Sequence, residues 1–141
     1  MNKQRERRLL KLAVALACSV PLGAGTAGVV LGPAVFDRDI AGDHLQLESH
    51  FRYLSGLLLG IGIAFAASIP TIERRSELFT ALSMMVVAGG LARLWALVVY
   101  DIPATPHVFA LVMELTVTPL LFVWQKRVSL AFRMAAKFPP N

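Results

Sequence analysis

Leu78 to Tyr100 reads LFTALSMMVVAGGLARLWALVVY, and His107 to Trp124 reads HVFALVMELTVTPLLFVW. A helix needs about 20 mostly apolar residues to cross about 30 Å of hydrocarbon, and both runs meet that length. Each run carries one buried-looking charge, and the two are of opposite sign: Arg93 and Glu114. Arg93 precedes Tyr100 by seven positions and Glu114 follows His107 by seven, which is about 10 Å at helical rise in each case. The gap Asp101 to Pro106, bracketed by Pro103 and Pro106, leaves room only for a tight reversal, so the two helices are antiparallel neighbours. The charges then face each other at matching depth. A charge at mid-membrane costs about 2.5–3.5 kcal/mol on insertion scales, and an Arg93–Glu114 ion pair is the natural offset.

Two further runs complete the pattern: Leu12 to Leu31, LAVALACSVPLGAGTAGVVL, and Ser49 to Ser68, SHFRYLSGLLLGIGIAFAAS. Gly32-Pro33 and Pro70 punctuate their ends. The reading is an all-α, integral membrane four-helix bundle, one membrane domain over residues 1–141 with spans about 12–31, 49–68, 78–100 and 107–124. Composition agrees: 56% of residues are hydrophobic and 16% charged, against about 45–50% and about 25% in soluble domains. The long connection, Gly32 to Glu48, has room for a short amphipathic helix around Ile40 to Leu47. Pro21 and Pro119 fall inside spans and are expected to bend them. Cys18 after Ala15-Leu16-Ala17 faintly resembles a lipoprotein cleavage site, but the apolar run continues past it, so a retained helix is the expectation.

Lysine and arginine placement sets orientation. Of the 14 basic residues, eleven fall in the N-terminal tail (Lys3, Arg5, Arg7, Arg8, Lys11), the loop between spans two and three (Arg74, Arg75) and the C-terminal tail (Lys126, Arg127, Arg133, Lys137). The opposite side has Arg38 against Asp37, Asp39, Asp43, Glu48 and Asp101. Both termini are therefore expected in the cytoplasm. The sequence pI of about 10.0 then reflects charge flanking the spans, where it meets anionic lipid, and not a nucleic-acid face. Val128 to Phe138 reads as an interfacial anchor or as the frayed end of span four.

Small residues mark the faces on which helices approach in lipid. These are Ala24, Gly28 and Gly32 on span one, and Arg52, Gly56, Gly60, Ala64 and Ser68 on span two. On span three Ala88, Ala92 and Ala96 flank a face of Met85, Gly89, Arg93 and Leu97. On span four His107, Glu114 and Thr118 share a side. The candidate site is the outer polar cluster of Arg52, Arg93, Glu114, His50, His107 and Tyr53. With Arg93 and Glu114 neutralising each other, Arg52 leaves a net positive charge, suited to an anionic or carbonyl-bearing headgroup. The plainer reading is one structural ion pair plus interfacial histidine and tyrosine anchors.

No GxGxxG, P-loop, HExxH or serine elbow occurs, and no catalytic residue, metal site or cofactor is expected. The expected role is non-enzymatic: binding a lipid-like or quinone-like molecule, or a membrane-protein partner or second copy, among membrane lipids. A small transporter or channel subunit is the alternative. A membrane enzyme using Glu114 and His107 as acid and base is a second.

Three stretches carry a resemblance: HFRYLSGLLLGIGIAF in span two, GGLARLWAL in span three and FALVMELTVTPLLFVWQ in span four. Together they resemble the small bacterial membrane proteins grouped as domain of unknown function 4345. The recurrent features correspond here to Arg52 with Gly56 and Gly60, to Gly90 with Arg93, and to Glu114. The resemblance implies a four-helix inner-membrane protein and supplies no activity. The orientation is checked by reporter fusions: one at Asn141 should report cytoplasm and one within Asp101 to Pro106 periplasm, and a periplasmic C-terminus would overturn it.

Overall fold

The computed structural model describes residues 3–35, 45–100 and 105–137, and every regular element among them is helical. Helix α1 spans Lys3–Leu31, α2 Leu45–Ser68, α3 Ser76–Tyr100, α4 Thr105–Val112 and α5 Thr118–Lys137, with a π turn at Met113–Val117 joining the last two into one continuous rod. Four of these rods are long and apolar enough to cross a membrane. Their outward faces carry large apolar side chains such as Leu16, Trp95 and Val98, each more than 70% exposed, as lipid contact requires and water does not favour.

The helices outrun the apolar runs. α1 begins at Lys3 and not near residue 12, because Lys, Gln, Arg, Glu and Leu are all good helix formers and its early turns bury Glu6, Leu10 and Val14. It stops at Gly32, whose φ of 61° is a left-handed conformation that glycine adopts at no steric cost. Pro33 follows and cannot continue the helix. α5 continues through Lys137 and buries Val128 and Ser129, so the segment from Val128 is regular helix and not a frayed end, with Leu130 and Met134 on its exposed side. The amphipathic helix expected around Ile40 to Leu47 lies mostly outside the described residues; 45–47 form the first turn of α2.

The chain divides into two compact units, one drawn from residues 1–14 and 68–141, the other from 15–67. In the first, α3 packs along α4, the π turn and α5. Its core is Leu10, Val14, Ile72, Phe79, Leu82 and Val128. Polar bonds lock the same end. Gln125, fully buried, donates from Nε2 to Ile72 O at 2.8 Å and accepts from Ser76 Oγ at 3.4 Å. Arg7 grips Glu73 with Nε and Nη2, both at 3.0 Å, and lies over the Phe132 ring at 5.6 Å. Arg127 pairs with Glu6 at 3.3 Å, and Lys11 Nζ donates to Pro70 O at 2.5 Å. The turn Ile69–Thr71 and its neighbours are thereby tied to α1 and α5.

In the second unit α1 and α2 approach backbone to backbone. A Cβ at Gly25 would stand 2.7 Å from Leu59 N, and one at Gly28 would stand 2.2 Å from Ser55 Oγ. Gly62 receives Leu22 in the same way, at 3.2 Å. This corrects the expected faces. Gly28 and Gly32 do pack, but Ala24 is exposed. On α2 the contact row is Ser55, Leu59 and Gly62, while Gly56 and Gly60 face outward with nothing closer than 4.0 Å to a built Cβ. Small residues occur on both sides of the helix, and spacing alone does not say which row meets the neighbour. Gly25→Ala is therefore expected to destabilise by about 1–3 kcal/mol, whereas Gly60→Ala should leave thermal stability in detergent equal or slightly raised; equal loss in both would contradict this packing.

Candidate functional site

The site is built where α3 meets the α4–π turn segment. On α3, Phe79, Leu82, Ser83 and Gly90 are buried and Arg93 and Leu97 half-buried, a row with the three-and-four spacing of one helical face. Gly90 lies one turn before Arg93. A Cβ there would stand 2.8 Å from Glu114 Cβ and 2.8 Å from Leu115 Cδ2, so only glycine lets the partner helix come this close. Residues Ala88, Ala92 and Ala96, expected as the flanking small-residue stripe, are exposed, as are Met85 and Gly89. The packing row again lies one position round the helix.

Opposite Gly90 the partner helix widens. Pro119 has no N–H for the carbonyl of Leu115, and its ring clashes with that carbonyl in α geometry. Just before it, the Thr118 N–H reaches back five residues to Met113 O, and Thr118 Oγ1 donates to the same oxygen at 3.0 Å. The result is the single π turn Met113–Val117, of the kind that recurs at functional positions. Glu114 sits within it. The bend expected from Pro119 thus takes the form of a π turn.

Arg93 and Glu114 form the expected ion pair, with both ends engaged: Nε to Oε2 at 2.9 Å and Nη2 to Oε1 at 3.1 Å. This fork-to-fork geometry is the strong form of the contact. The Glu114 side chain is 16% exposed and that of Arg93 35%. Arg93 Nη1 also lies 3.2 Å from His107 Nδ1. A guanidinium only donates, so Nδ1 is the acceptor in this contact. Beside the three lies a pocket of about 250 Å³ lined by Arg93, Ala96, Leu97, His107 and Leu111. Its walls are apolar except for the guanidinium and the imidazole.

The remaining candidate residues belong to the second unit. Arg52 does not supply an unmatched positive charge. Its Nη2 and Nε meet Glu48 Oε1 at 2.5 and 2.7 Å, an i,i+4 pair within α2. Its Nη1 donates to Val29 O and, at 3.0 Å, to Val30 O. Those are carbonyls of the last turn of α1, where the helix dipole is negative and backbone acceptors have no helical partner. Arg52 is thus a C-terminal cap for α1, neutralised by Glu48. His50 Nδ1 donates to Gln46 O of its own helix at 3.2 Å and is exposed, and Tyr53 is 65% exposed. The structure brings together Arg93, Glu114 and His107, adds Gly90, Ala96, Leu97 and Leu111, and gives Arg52 a separate task. Gly90 was marked by the family resemblance, and Ala96 and Leu97 by their places beside and on the Arg93 face; Leu111 had no distinguishing signal.

Four apolar rods with an Arg–Glu pair set between two of them are the makeup of a multi-pass helical membrane protein. More particularly, the chain belongs to the family described as Domain of unknown function (DUF4345), whose model matches residues 9–125. That range includes Arg52, Gly90, Arg93, His107, Glu114 and Gln125. No curated protein and no solved structure matches the chain.

Removing one partner of a buried ion pair strands the other charge and costs about 3–5 kcal/mol, whereas replacing both with apolar residues of similar volume is near neutral. Glu114→Ala is accordingly expected to lower thermal stability sharply, and Arg93→Met with Glu114→Leu to recover most of it. Thermal unfolding in detergent checks this; a double variant as weak as the single would show that the pair does more for the fold than neutralise itself.

Proposed function

We propose that the chain is a multi-pass protein of the bacterial inner membrane, termini in the cytoplasm, that binds the head of a lipid-like or quinone-like molecule without catalysing a reaction on it. The observation that carries the proposal is the pocket of about 250 Å³ beside Arg93 and His107, apolar on its Ala96, Leu97 and Leu111 walls. An apolar pocket with a few convergent polar groups is the usual form of a small-molecule site. Intramembrane charges facing such a pocket mark function more often than fold. Both Glu114 oxygens are taken up by Arg93, which makes the carboxylate a counter-ion and weighs against an acid–base role with His107. Anionic lipids around the basic helix ends and a second copy or membrane partner remain part of this reading.

The test is native mass spectrometry of protein extracted from its own membranes. The wild type should carry a bound amphiphile that Ala96→Phe, which fills the pocket without touching the ion pair, loses at least about tenfold. Equal occupancy in both, or none in the wild type, would refute it.

A further inference from the structure

We infer that the Arg93 site selects an uncharged carbonyl-bearing head, such as that of a quinone or an acyl ester, over a phosphate or carboxylate. The inference rests on the reading that this pocket takes an amphiphile, and it names the chemistry. A guanidinium has five N–H donors. Three contacts are made: Nε and Nη2 to Glu114, and Nη1 to His107. Each terminal nitrogen therefore keeps one N–H with no partner among the described residues. In hydrocarbon there is no water to take them, and an unsatisfied donor is costly there. The site calls for an acceptor oxygen.

Charge decides which oxygen. Arg93 is matched by Glu114 at 2.9 Å, and His107 accepts from Arg93 through Nδ1. Among the described residues lining the pocket, the one guanidinium is thus a matched charge. An anion entering it would surrender its hydration, at several kcal/mol, to meet a pair whose attraction and repulsion nearly cancel. A carbonyl surrenders far less and uses the same two donors. Size agrees. The pocket of about 250 Å³ falls just under the about 300–1,000 Å³ of sites that enclose a whole drug-sized ligand. It therefore fits a ring or a headgroup carbonyl, with the tail lying outside among lipid.

The experiment measures binding of two probes with the same ten-carbon tail, decylubiquinone and decyl phosphate, to the full chain in uncharged detergent. Wild type should bind the quinone more tightly by about tenfold or more. Arg93→Met with Glu114→Leu, which keeps the pair's volume and removes both donors and charge, should lose quinone binding, and Ala96→Phe should lose it through bulk alone. Glu114→Gln, where it folds, should swing preference toward decyl phosphate, because it frees the cation. Decyl phosphate binding the wild type as well as the quinone would overturn the inference while leaving the pocket reading intact. Quinone binding indifferent to Ala96→Phe, or no binding of either probe, would overturn both.

Discussion

A guanidinium set in an apolar helix cannot keep its water, and the arrangement of α3 against the α4–α5 rod follows from that constraint. A full Born penalty is far beyond what any domain could absorb, and the effective one is still several kcal/mol. Only a counter-charge at hydrogen-bonding distance offsets it. Arg93 finds one because Gly90, a turn earlier on the same face, leaves space for Glu114 Cβ to come where its own Cβ would stand. Pro119 contributes from the other side by forbidding a regular turn, so that Glu114 sits in a π turn at the contact. The pair, the glycine and the proline are one device. None of them is explained by helix propensity, and each has a role once the others are in place.

Several other charges are matched by different means, in more exposed settings. Arg7 and Arg127 take Glu73 and Glu6. Lys11 and Arg52 spend part of their donors on backbone carbonyls at Pro70 and at Val29 and Val30, where turns and helix ends leave acceptors open. Gln125 is the uncharged version of this solution, a fully buried amide that both donates and accepts across the turn after α2. A buried amide without those bonds would cost about 1–3 kcal/mol. With them it fixes the register of α5 against that turn.

Much of this was legible in the residues. Length and apolarity mark a spanning helix because lipid leaves a backbone no alternative, and four such runs read correctly as helices. The Arg93–Glu114 pair was legible because depth along a helix is a linear function of position, and two isolated opposite charges at equal depth have little else to meet. Faces were less legible. Gly56 and Gly60 match a packing motif by spacing, yet Ser55, Leu59 and Gly62, one position round, make the contact. The helix ends were hidden too, since charged helix formers before Leu12 and after Trp124 look the same whether helical or frayed. Arg52 was misread as free charge because its partners include main-chain carbonyls, which no side-chain pattern records. Gln125 and Ser76 looked like ordinary boundary residues; only the folded chain puts them in contact.

Within the unit that holds Arg93, order is unevenly distributed, and the unevenness bears on function. At one end Leu10, Val14, Ile72, Phe79, Gln125 and Val128 are almost wholly buried and the buried polar bonds are closed. At the other, α4 and the π turn contain no buried residue at all, Arg93 and His107 are half-exposed, and two guanidinium N–H groups have no partner among the described residues. Binding regions are drawn from the less stable part of a fold, because a closed and fully satisfied core has nothing left to offer a ligand. The locked end holds α3 and α5 in register, and that register presents Arg93 to Glu114. What the open end retains is donor capacity without net charge, which is the property a neutral acceptor in the membrane can use.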